Sequence, residues 1–216
     1  MIKTIKKIIK SNYLWIIFFI CILLFLALAE DVFTHEIMKG DIIGYNLVSK
    51  YLIKTNITPI VKYITWFGSA TCLIIISLLS FILKNKKISM CILSNLVIIT
   101  ILNQLFKFIF ERPRPTEYRI ITETGYSFPS GHSMVSMAFY GFIIYLIYKK
   151  VNNKYIKWLV ISILSLLIVS IGISRIYLGV HYTSDVLAGF LISISYLIIY
   201  IKYTKKIIDK DSNYEK

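Results

Sequence analysis

The strongest constraint on the fold of this chain is a run of uncharged, mostly apolar residues near its start. The run covers residues 13–29 and has the sequence YLWIIFFICILLFLALA. An α-helix of that length covers about 25 Å, close to the thickness of the hydrocarbon core of a bilayer. Five later stretches are also predominantly apolar, namely 60–83, 88–110, 133–148, 158–173 and 186–201. Because backbone groups in lipid must be satisfied within a segment, the sequence predicts an all-α, polytopic membrane protein with six transmembrane helices.

The first run has a second interpretation, as a secretory signal peptide. Lysines precede it and the small-residue sequence ALAE ends it, as at a cleavage site. Its apolar part is longer than the roughly 7–15 residues usual in such peptides, which favours a retained anchor. Cleavage would leave five spans and would not move the later loops.

The chain is interpreted as a single domain, residues 1–216, with a motif-bearing core at about 60–203. It contains no repeat of 20–50 residues and no low-complexity linker. Cys21, Cys72 and Cys91 each lie within an apolar run, and their spacing fits neither a metal site nor a disulfide framework. They are expected to be small buried apolar side chains.

The positive charge is distributed in a way that indicates topology. The formal net charge is +14 at pH 7. Sixteen of the 25 basic residues lie at the N-terminus, after the second and fourth predicted spans, and in the C-terminal tail. With six spans these positions share one side, so the positive-inside rule predicts cytoplasmic N- and C-termini. A nucleic-acid partner is not expected, because no soluble part combines a basic face with interleaved aromatic residues.

Two connections on the outer side are long enough to carry structure. The first, residues 30–59, has apolar residues at three- and four-residue steps, which favours an amphipathic helix in the interface over a simple surface loop. It also contains His35, which has no partner motif and is expected at the surface. The second, residues 111–132, is rich in Arg, Pro, Gly and Ser and is expected to have irregular backbone.

Polar residues from three distant stretches fall on this outer side. His181 and Asp185 are four residues apart, so on a helix they share a face, and the carboxylate can orient the imidazole for nucleophilic attack. Taken alone, such a pair is more often a structural contact near a helix start.

The second stretch is PSGHS, residues 129–133, and it is expected to begin a helix directly after its proline. Free amides at such a helix start bind anions, and His132 is placed to give a proton to a leaving oxygen. Ser130 and Ser133 could equally serve as an ordinary N-cap.

Three cations complete the set. Arg114 and Arg175 offer planar forks that suit phosphate oxygens, and Lys107 offers a point charge near the membrane edge. Arg114 and the nearby Arg112 could instead be interfacial arginines that touch lipid headgroups. Asn103 and Gln104 are expected to form interhelical hydrogen bonds.

Three spaced motifs resemble those of the type 2 phosphatidic acid phosphatase family. The first is K-x6-R-P, the second P-S-G-H and the third S-R-x5-H-x3-D. Their positions here are Lys107, Arg114 and Pro115; residues 129–132; and Ser174, Arg175, His181 and Asp185. The spacings agree without a gap, and the resemblance covers the second to the sixth span.

The resemblance implies a six-helix membrane lipid phosphatase that needs no metal or other cofactor. In such enzymes the residue matching His181 attacks phosphorus, the one matching Asp185 orients it, and the one matching His132 protonates the leaving group. The residues that would hold phosphate are Lys107, Arg114, Ser130, Gly131 and Arg175. The expected partner is a lipid phosphate in the cell membrane, with the active site on the extracytoplasmic side.

The substrate and two other function classes stay open at this point. Phosphatidate, phosphatidylglycerol phosphate and undecaprenyl diphosphate all fit a site that recognises phosphate. A transporter or channel would use the same charges to bind an anion, but it predicts polar residues spread through the middle of several spans. A haloperoxidase-like activity is the other alternative, since vanadate-binding peroxidases share the motifs, although those relatives are soluble.

Overall fold

The computed structural model describes residues 2–34, 38–82 and 85–212 as an all-helical assembly, with no strand in these ranges. Residue 35, the expected surface histidine, lies outside them. The helices in chain order are α1 (Ile2–Phe33), α2 (Lys39–Leu52), α3 (Thr58–Trp66), α4 (Ala70–Leu79), α5 (Lys86–Phe110), α6 (Gly131–Lys150), α7 (Lys154–Tyr177) and α8 (Thr183–Ser212). A short 3-10 turn, Ser80–Ile82, follows α4.

The spans agree with the hydropathy pattern in place, and their number is five or six. Five helices in the described part are long and apolar enough to cross a membrane: Asn12–Phe33, Lys86–Phe110, Gly131–Lys150, Lys154–Tyr177 and Thr183–Asp209. Thr58–Trp66 and Ala70–Ile82 make a sixth if they are counted together, with a bend of 47° between them. The all-α membrane fold is therefore confirmed, while the second predicted span corresponds to two helices that meet at a bend rather than to one straight helix.

The core of the bundle is centred on α6, which packs against α5, α7 and α8. Met134, Ala138 and Phe139 on α6 are almost completely buried. Cys21, Cys72 and Cys91 are buried and form no disulfide among the described residues, as expected for small apolar side chains. Large apolar residues on the outer faces of α1, α5 and α7 stay exposed, which suits helices that contact lipid.

The first span packs into this core through aromatic side chains. Phe25 of α1 stacks on Phe128 with ring centroids 5.8 Å apart, and both rings contact Phe110 at the end of α5. Whether the segment is cleaved in the cell stays a prediction.

The first outer connection forms the expected amphipathic helix, α2. Its apolar residues Ile42, Ile43 and Leu47 are exposed, while Asp41 is buried against α8. Gly44 permits this close docking, because a Cβ at that position would lie 2.1 Å from Thr183 Oγ1 on α8. The helix thus reaches the start of α8 with one face and presents apolar side chains with the other.

Candidate functional site

The three motif-bearing stretches meet at one end of the bundle. They enclose a cavity of about 360 Å³ whose lining includes Lys107, Arg114, His132 and His181. We call this the cationic cavity. The irregular loop between α5 and α6 covers it and contributes Glu123, Thr124 and Gly125 to the lining. The convergence predicted from the sequence is thus present in the structure.

His181 and Asp185 are in contact at the start of α8. His181 Nδ1 lies 3.3 Å from Asp185 Oδ2, and Asp185 is fully buried. The same carboxylate oxygen accepts hydrogen bonds from the backbone N–H of Tyr182, at 2.8 Å, and from the hydroxyl of Ser127. A proton on Nδ1 directed to the carboxylate leaves Nε2 with its lone pair, as a nucleophile requires.

The other ring nitrogen of His181 faces a motif arginine. Arg114 Nη1 lies 3.0 Å from Nε2, so Arg114 donates to the lone pair. Burial lowers the pKa of His181 to about 4; the positive charges of Arg175 and Arg114 add to this effect, and Asp185 opposes it. The imidazole is therefore neutral at physiological pH.

Arg114 is fixed by main-chain oxygens on both sides of the site. Its guanidinium donates to the carbonyls of Gly125 (2.9 Å), Thr124 (3.1 Å) and Val180 (3.0 Å). Its burial at 8% exposure overturns the alternative of an arginine among lipid headgroups. The loop before α6 and the turn before α8 are thereby tied to one cation.

Arg175 and Lys107 approach the same region from α7 and α5. Arg175 Nη1 donates to Thr65 Oγ1 at 2.7 Å, and its buried Nε has no hydrogen-bond partner in the described part of the chain. Lys107 Nζ donates to the carbonyl oxygen of Tyr126. All three predicted cations therefore lie at one site, held by other parts of the protein.

Glu123 lies between the two arginines, a position that was not predicted from the sequence. Its carboxylate is 2.5 Å from Arg175 Nη2 and 3.8 Å from Arg114 Nη2. Burial by itself would raise the pKa of Glu123, but Arg175 and Arg114 together lower it, so the carboxylate is ionised. One anionic group can thus contact both arginines at once, as a phosphoryl group would.

The start of α6 forms as the PSGH sequence predicts. Ser130 is the N-cap: its Oγ accepts from the Ser133 amide at 3.5 Å and from the Ser133 hydroxyl at 3.0 Å. The Ser130 amide itself donates to the Asp185 carbonyl at 3.0 Å, so it is not among the amides open to an anion. The first-turn amides of Gly131 and His132 have no acceptor within the helix, and both residues line the cationic cavity.

Close packing supports this helix start. Asn103 on α5 donates to the carbonyl of Pro129 at 3.2 Å and to Met134 Sδ on α6 at 3.4 Å, and the second contact confirms its expected interhelical role. A Cβ at Gly131 would lie 3.0 Å from Asn103 Oδ1, so the absence of a side chain allows the approach. Gln104 is exposed and lines the cavity.

Arg112 was not predicted to belong to the site, and its interpretation as a headgroup contact is wrong. The side chain is buried, and Nη1 donates to Asp185 Oδ1 at 2.6 Å and to Ser184 Oγ at 2.7 Å. Nη2 donates to Asp41 Oδ2 at 2.8 Å. The sequence offered one indication that Asp41 has a special role, namely a carboxylate within a helix whose apolar residues recur at helical spacing.

Among the described residues, no group of three or more His, Cys, Asp or Glu side chains could hold a metal ion. The charged and titratable groups of the site are instead one carboxylate–imidazole pair, one further histidine, the Glu123 carboxylate and several cations. Such a set can bind a tetrahedral anion, supply a nitrogen nucleophile and transfer a proton.

Comparison with known proteins gives consistent results. The sequence model described as "PAP2 superfamily" matches residues 88–209. Phosphatidylglycerophosphatase B of Bacillus subtilis is 30% identical over 194 residues, covering 86% of this chain and 93% of that protein. Undecaprenyl-diphosphatase of Sulfolobus acidocaldarius is 28% identical over 209 residues, covering 90% and 94%.

A solved structure also superposes on this fold. It is described as the first transmembrane PAP2-type phosphatidylglycerolphosphate phosphatase from Bacillus subtilis. The TM-score is 0.77 at 28% sequence identity, and the match covers 87% of this chain and 95% of that one.

Proposed function

This chain belongs to the PAP2 superfamily and is a membrane-embedded lipid phosphatase; from that premise we propose that it transfers the phosphoryl group of a lipid phosphate to His181 and then to water. The observation that carries the proposal is the cationic cavity. A neutral imidazole oriented by Asp185 lies there beside Arg114, with Lys107 and His132 in the same lining.

In the first step the lone pair of His181 Nε2 attacks phosphorus. A P–N bond forms, the P–O bond to the lipid breaks, and His132 gives its proton to the departing oxygen. Asp185 accepts the Nδ1 proton in a hydrogen bond and stabilises the positive charge that develops on the ring. General acid catalysis of this kind contributes about 10²–10⁴-fold.

In the second step His132 acts as a base. It removes a proton from water, the water oxygen attacks phosphorus, and the P–N bond breaks to restore neutral His181. Inorganic phosphate then leaves, and no metal ion takes part.

Substrate binding requires two rearrangements within the site. Arg114 now donates to Nε2 of His181 and must turn toward a phosphoryl oxygen before the nitrogen can attack. Glu123 must give up its contact with Arg175. We assign Lys107, Arg114 and Arg175 to charge neutralisation, with the Gly131 and His132 amides, at the helix start capped by Ser130, as further donors.

The substrate class follows from the phosphate-directed site and from the named relatives. One relative is a phosphatidylglycerophosphatase and another an undecaprenyl-diphosphatase. We therefore propose phosphatidylglycerol phosphate, phosphatidate and undecaprenyl diphosphate as the panel that includes the substrate. Phosphate release by the purified protein on each lipid, with excess chelator present, measures both the preference and the independence from metal.

The nucleophile is tested by trapping the intermediate. Substrate labelled in the phosphoryl group is mixed with the wild type and quenched in base after a short reaction time, which preserves phosphohistidine. Label is expected on the protein, and none on His181→Ala. His35→Ala is the matched control, since it removes the remaining histidine outside the motifs. Label that persists without His181, or normal turnover by His181→Ala, contradicts the assignment.

We further propose that both termini face the cytoplasm and the cationic cavity faces outward, in line with the lysine distribution. Single cysteines at the exposed positions Glu117 and Lys205 test this in intact cells with an impermeant thiol reagent. Glu117→Cys should react from outside, and Lys205→Cys should react only after lysis. The opposite pattern overturns the orientation.

A further inference from the structure

We propose that Arg112 and Asp41 are positioning residues, which fix the orientation and charge balance of Asp185 and through it the nucleophile His181. This inference rests on the proposed function. It makes α2, a helix outside the three motifs, a working part of the site.

The two oxygens of the Asp185 carboxylate have separate partners. Oδ1 accepts from Arg112 at 2.6 Å, and Oδ2 faces His181 Nδ1 at 3.3 Å. Oδ2 also accepts from the backbone N–H of Tyr182 at 2.8 Å. Because Arg112 holds one oxygen, the carboxylate cannot turn about its Cβ–Cγ bond, and the other oxygen stays directed at the imidazole.

Asp41 holds Arg112 in place and also binds the start of α8. Its Oδ2 accepts from Arg112 Nη2 at 2.8 Å and from Ser184 Oγ at 2.9 Å. Its Oδ1 accepts from the Ser184 amide at 2.7 Å. The Asp41 carboxylate on α2 therefore accepts hydrogen bonds from two places. One is the start of α8, which carries Asp185, and the other is Arg112, which contacts Asp185.

The burial of these charges argues that their arrangement is specific. Asp41, Arg112 and Asp185 are 4%, 5% and 0% exposed. Buried ions are tolerated only when their partners are complete, so removal of one leaves the others uncompensated. Burial would lower the pKa of Arg112, but Asp185 and Asp41 raise it, and the Tyr182 ring lies 4.1 Å from its guanidinium carbon. Arg112 is thus a permanent cation between two carboxylates.

This charge balance acts on His181 together with all the groups around the ring. Those groups are Asp185 on α8, Arg114 and Glu123 in the loop, Arg175 on α7, His132 on α6 and Lys107 on α5. Without Arg112, Asp185 has one cation fewer and holds the imidazolium more strongly, so the pKa of His181 rises. Without Asp41, the positive charge of Arg112 is less neutralised and interacts more strongly with Asp185. Asp185 then stabilises the imidazolium of His181 less, so the pKa of His181 falls.

The experiment compares Arg112→Met, Asp41→Asn and the double variant in detergent, with one lipid phosphate as substrate. For Arg112→Met we expect kcat to fall about tenfold or more with KM within about threefold, and the acid limb of kcat/KM to move to higher pH. For Asp41→Asn we expect a smaller fall in kcat and a limb displaced to lower pH. In the double variant Asp41→Asn should have no further effect, because its partner is gone.

A steric pair on α2 gives an independent test if Arg112→Met does not fold. Gly44→Ala forces the helix away from Thr183, whereas a Cβ at Gly40 on the same helix meets nothing within 4 Å. We expect Gly44→Ala to lower kcat while Gly40→Ala matches the wild type. Equal effects of the two alanines show that docking of α2 does not act on the site.

The outcomes separate this inference from the proposed function. Turnover by His181→Ala refutes the proposed function itself. An inactive His181→Ala together with unchanged acid limbs in Arg112→Met and Asp41→Asn refutes only the positioning role. Additive effects in the double variant also refute it, because additivity means that Asp41 and Arg112 act independently rather than Asp41 acting through Arg112.

Discussion

Charged side chains lie near both ends of α6, in opposite surroundings. At its start, Arg114 and Arg175 are buried and lie against Glu123. At its end, Lys149 pairs with Asp209 at 3.1 Å, with the two side chains 37% and 43% exposed. An exposed pair is worth only about 0–1 kcal/mol, whereas breaking a buried one costs about 3–5 kcal/mol. Burial thus distinguishes charges that are held in fixed positions at the ligand site from charges that stay in contact with solvent.

The largest expected effect is at the buried end. Arg175→Ala removes a fork that is 1% exposed and whose Nε has no hydrogen-bond partner among the described residues, so kcat should fall about 10²–10³-fold. Arg175→Lys should restore little of it, because an ammonium lacks the planar fork. Phosphate release under saturating lipid measures both variants. Full rescue by lysine would mean that charge alone is required.

Acidity tests whether burial sets the chemistry of the nucleophile. With a pKa of about 4, His181 is neutral in about 90% of molecules at pH 5, against about 3% for an ordinary histidine with a pKa of 6.5. The acid limb of kcat/KM should therefore lie near pH 4. An acid limb near pH 6.5 would contradict the interpretation that burial and the neighbouring arginines lower the pKa of His181.

The same pKa difference predicts how stability responds to pH. Below pH 6.5 the unfolded chain takes up a proton at residue 181 that the folded protein refuses until about pH 4. Stability should therefore fall as pH decreases through this window. Thermal unfolding of His181→Gln should show a shallower fall than the wild type, and equal slopes would contradict the shifted pKa.

A smaller effect is expected from the carboxylate already bound to the arginines. Glu123→Gln removes a negative charge that competes with phosphate, so inorganic phosphate should inhibit about tenfold more strongly. Inhibition constants for Glu123→Gln and the wild type measure this. Weaker inhibition would mean that Glu123 serves to hold Arg175 in a productive geometry.

The smallest effect is expected at the exposed end of α6. Lys149→Ala should change the free energy of unfolding by less than about 1 kcal/mol and leave phosphate release unchanged. It is also the matched control for Arg175→Ala. A loss of activity comparable to that variant would remove the contrast between the two ends.

Sequence alone predicted the parts of the fold that depend on local pattern. The span positions follow from hydropathy, and α2 follows from its apolar period. The break at residues 67–69 was missed, because hydropathy counts apolar residues without regard to the direction of the helix axis. Spaced motifs also predicted that Lys107, Arg114 and His181 come together, as they do in the cationic cavity.

The parts that the sequence did not predict are contacts between residues with no fixed spacing. Asp41 and Arg112 are 71 positions apart, and Glu123 and Arg175 are 52 apart. Glu123 lies in an irregular loop where no periodicity assigns a direction to a side chain. Ser130 illustrates a further limit, since its amide is engaged by Asp185 rather than open to an anion. Such contacts depend on tertiary packing.

The direction in which α6 runs serves both of its ends at once. The aligned peptide dipoles of a helix give its start a partial positive charge and its end a partial negative charge. The PSGH turn places the positive pole at the cationic cavity, and Lys149 and Lys150 occupy the last turn at the negative pole. A single run of peptide bonds therefore attracts an anion where it begins and retains ammonium groups where it ends, with no additional side chain needed to set that polarity.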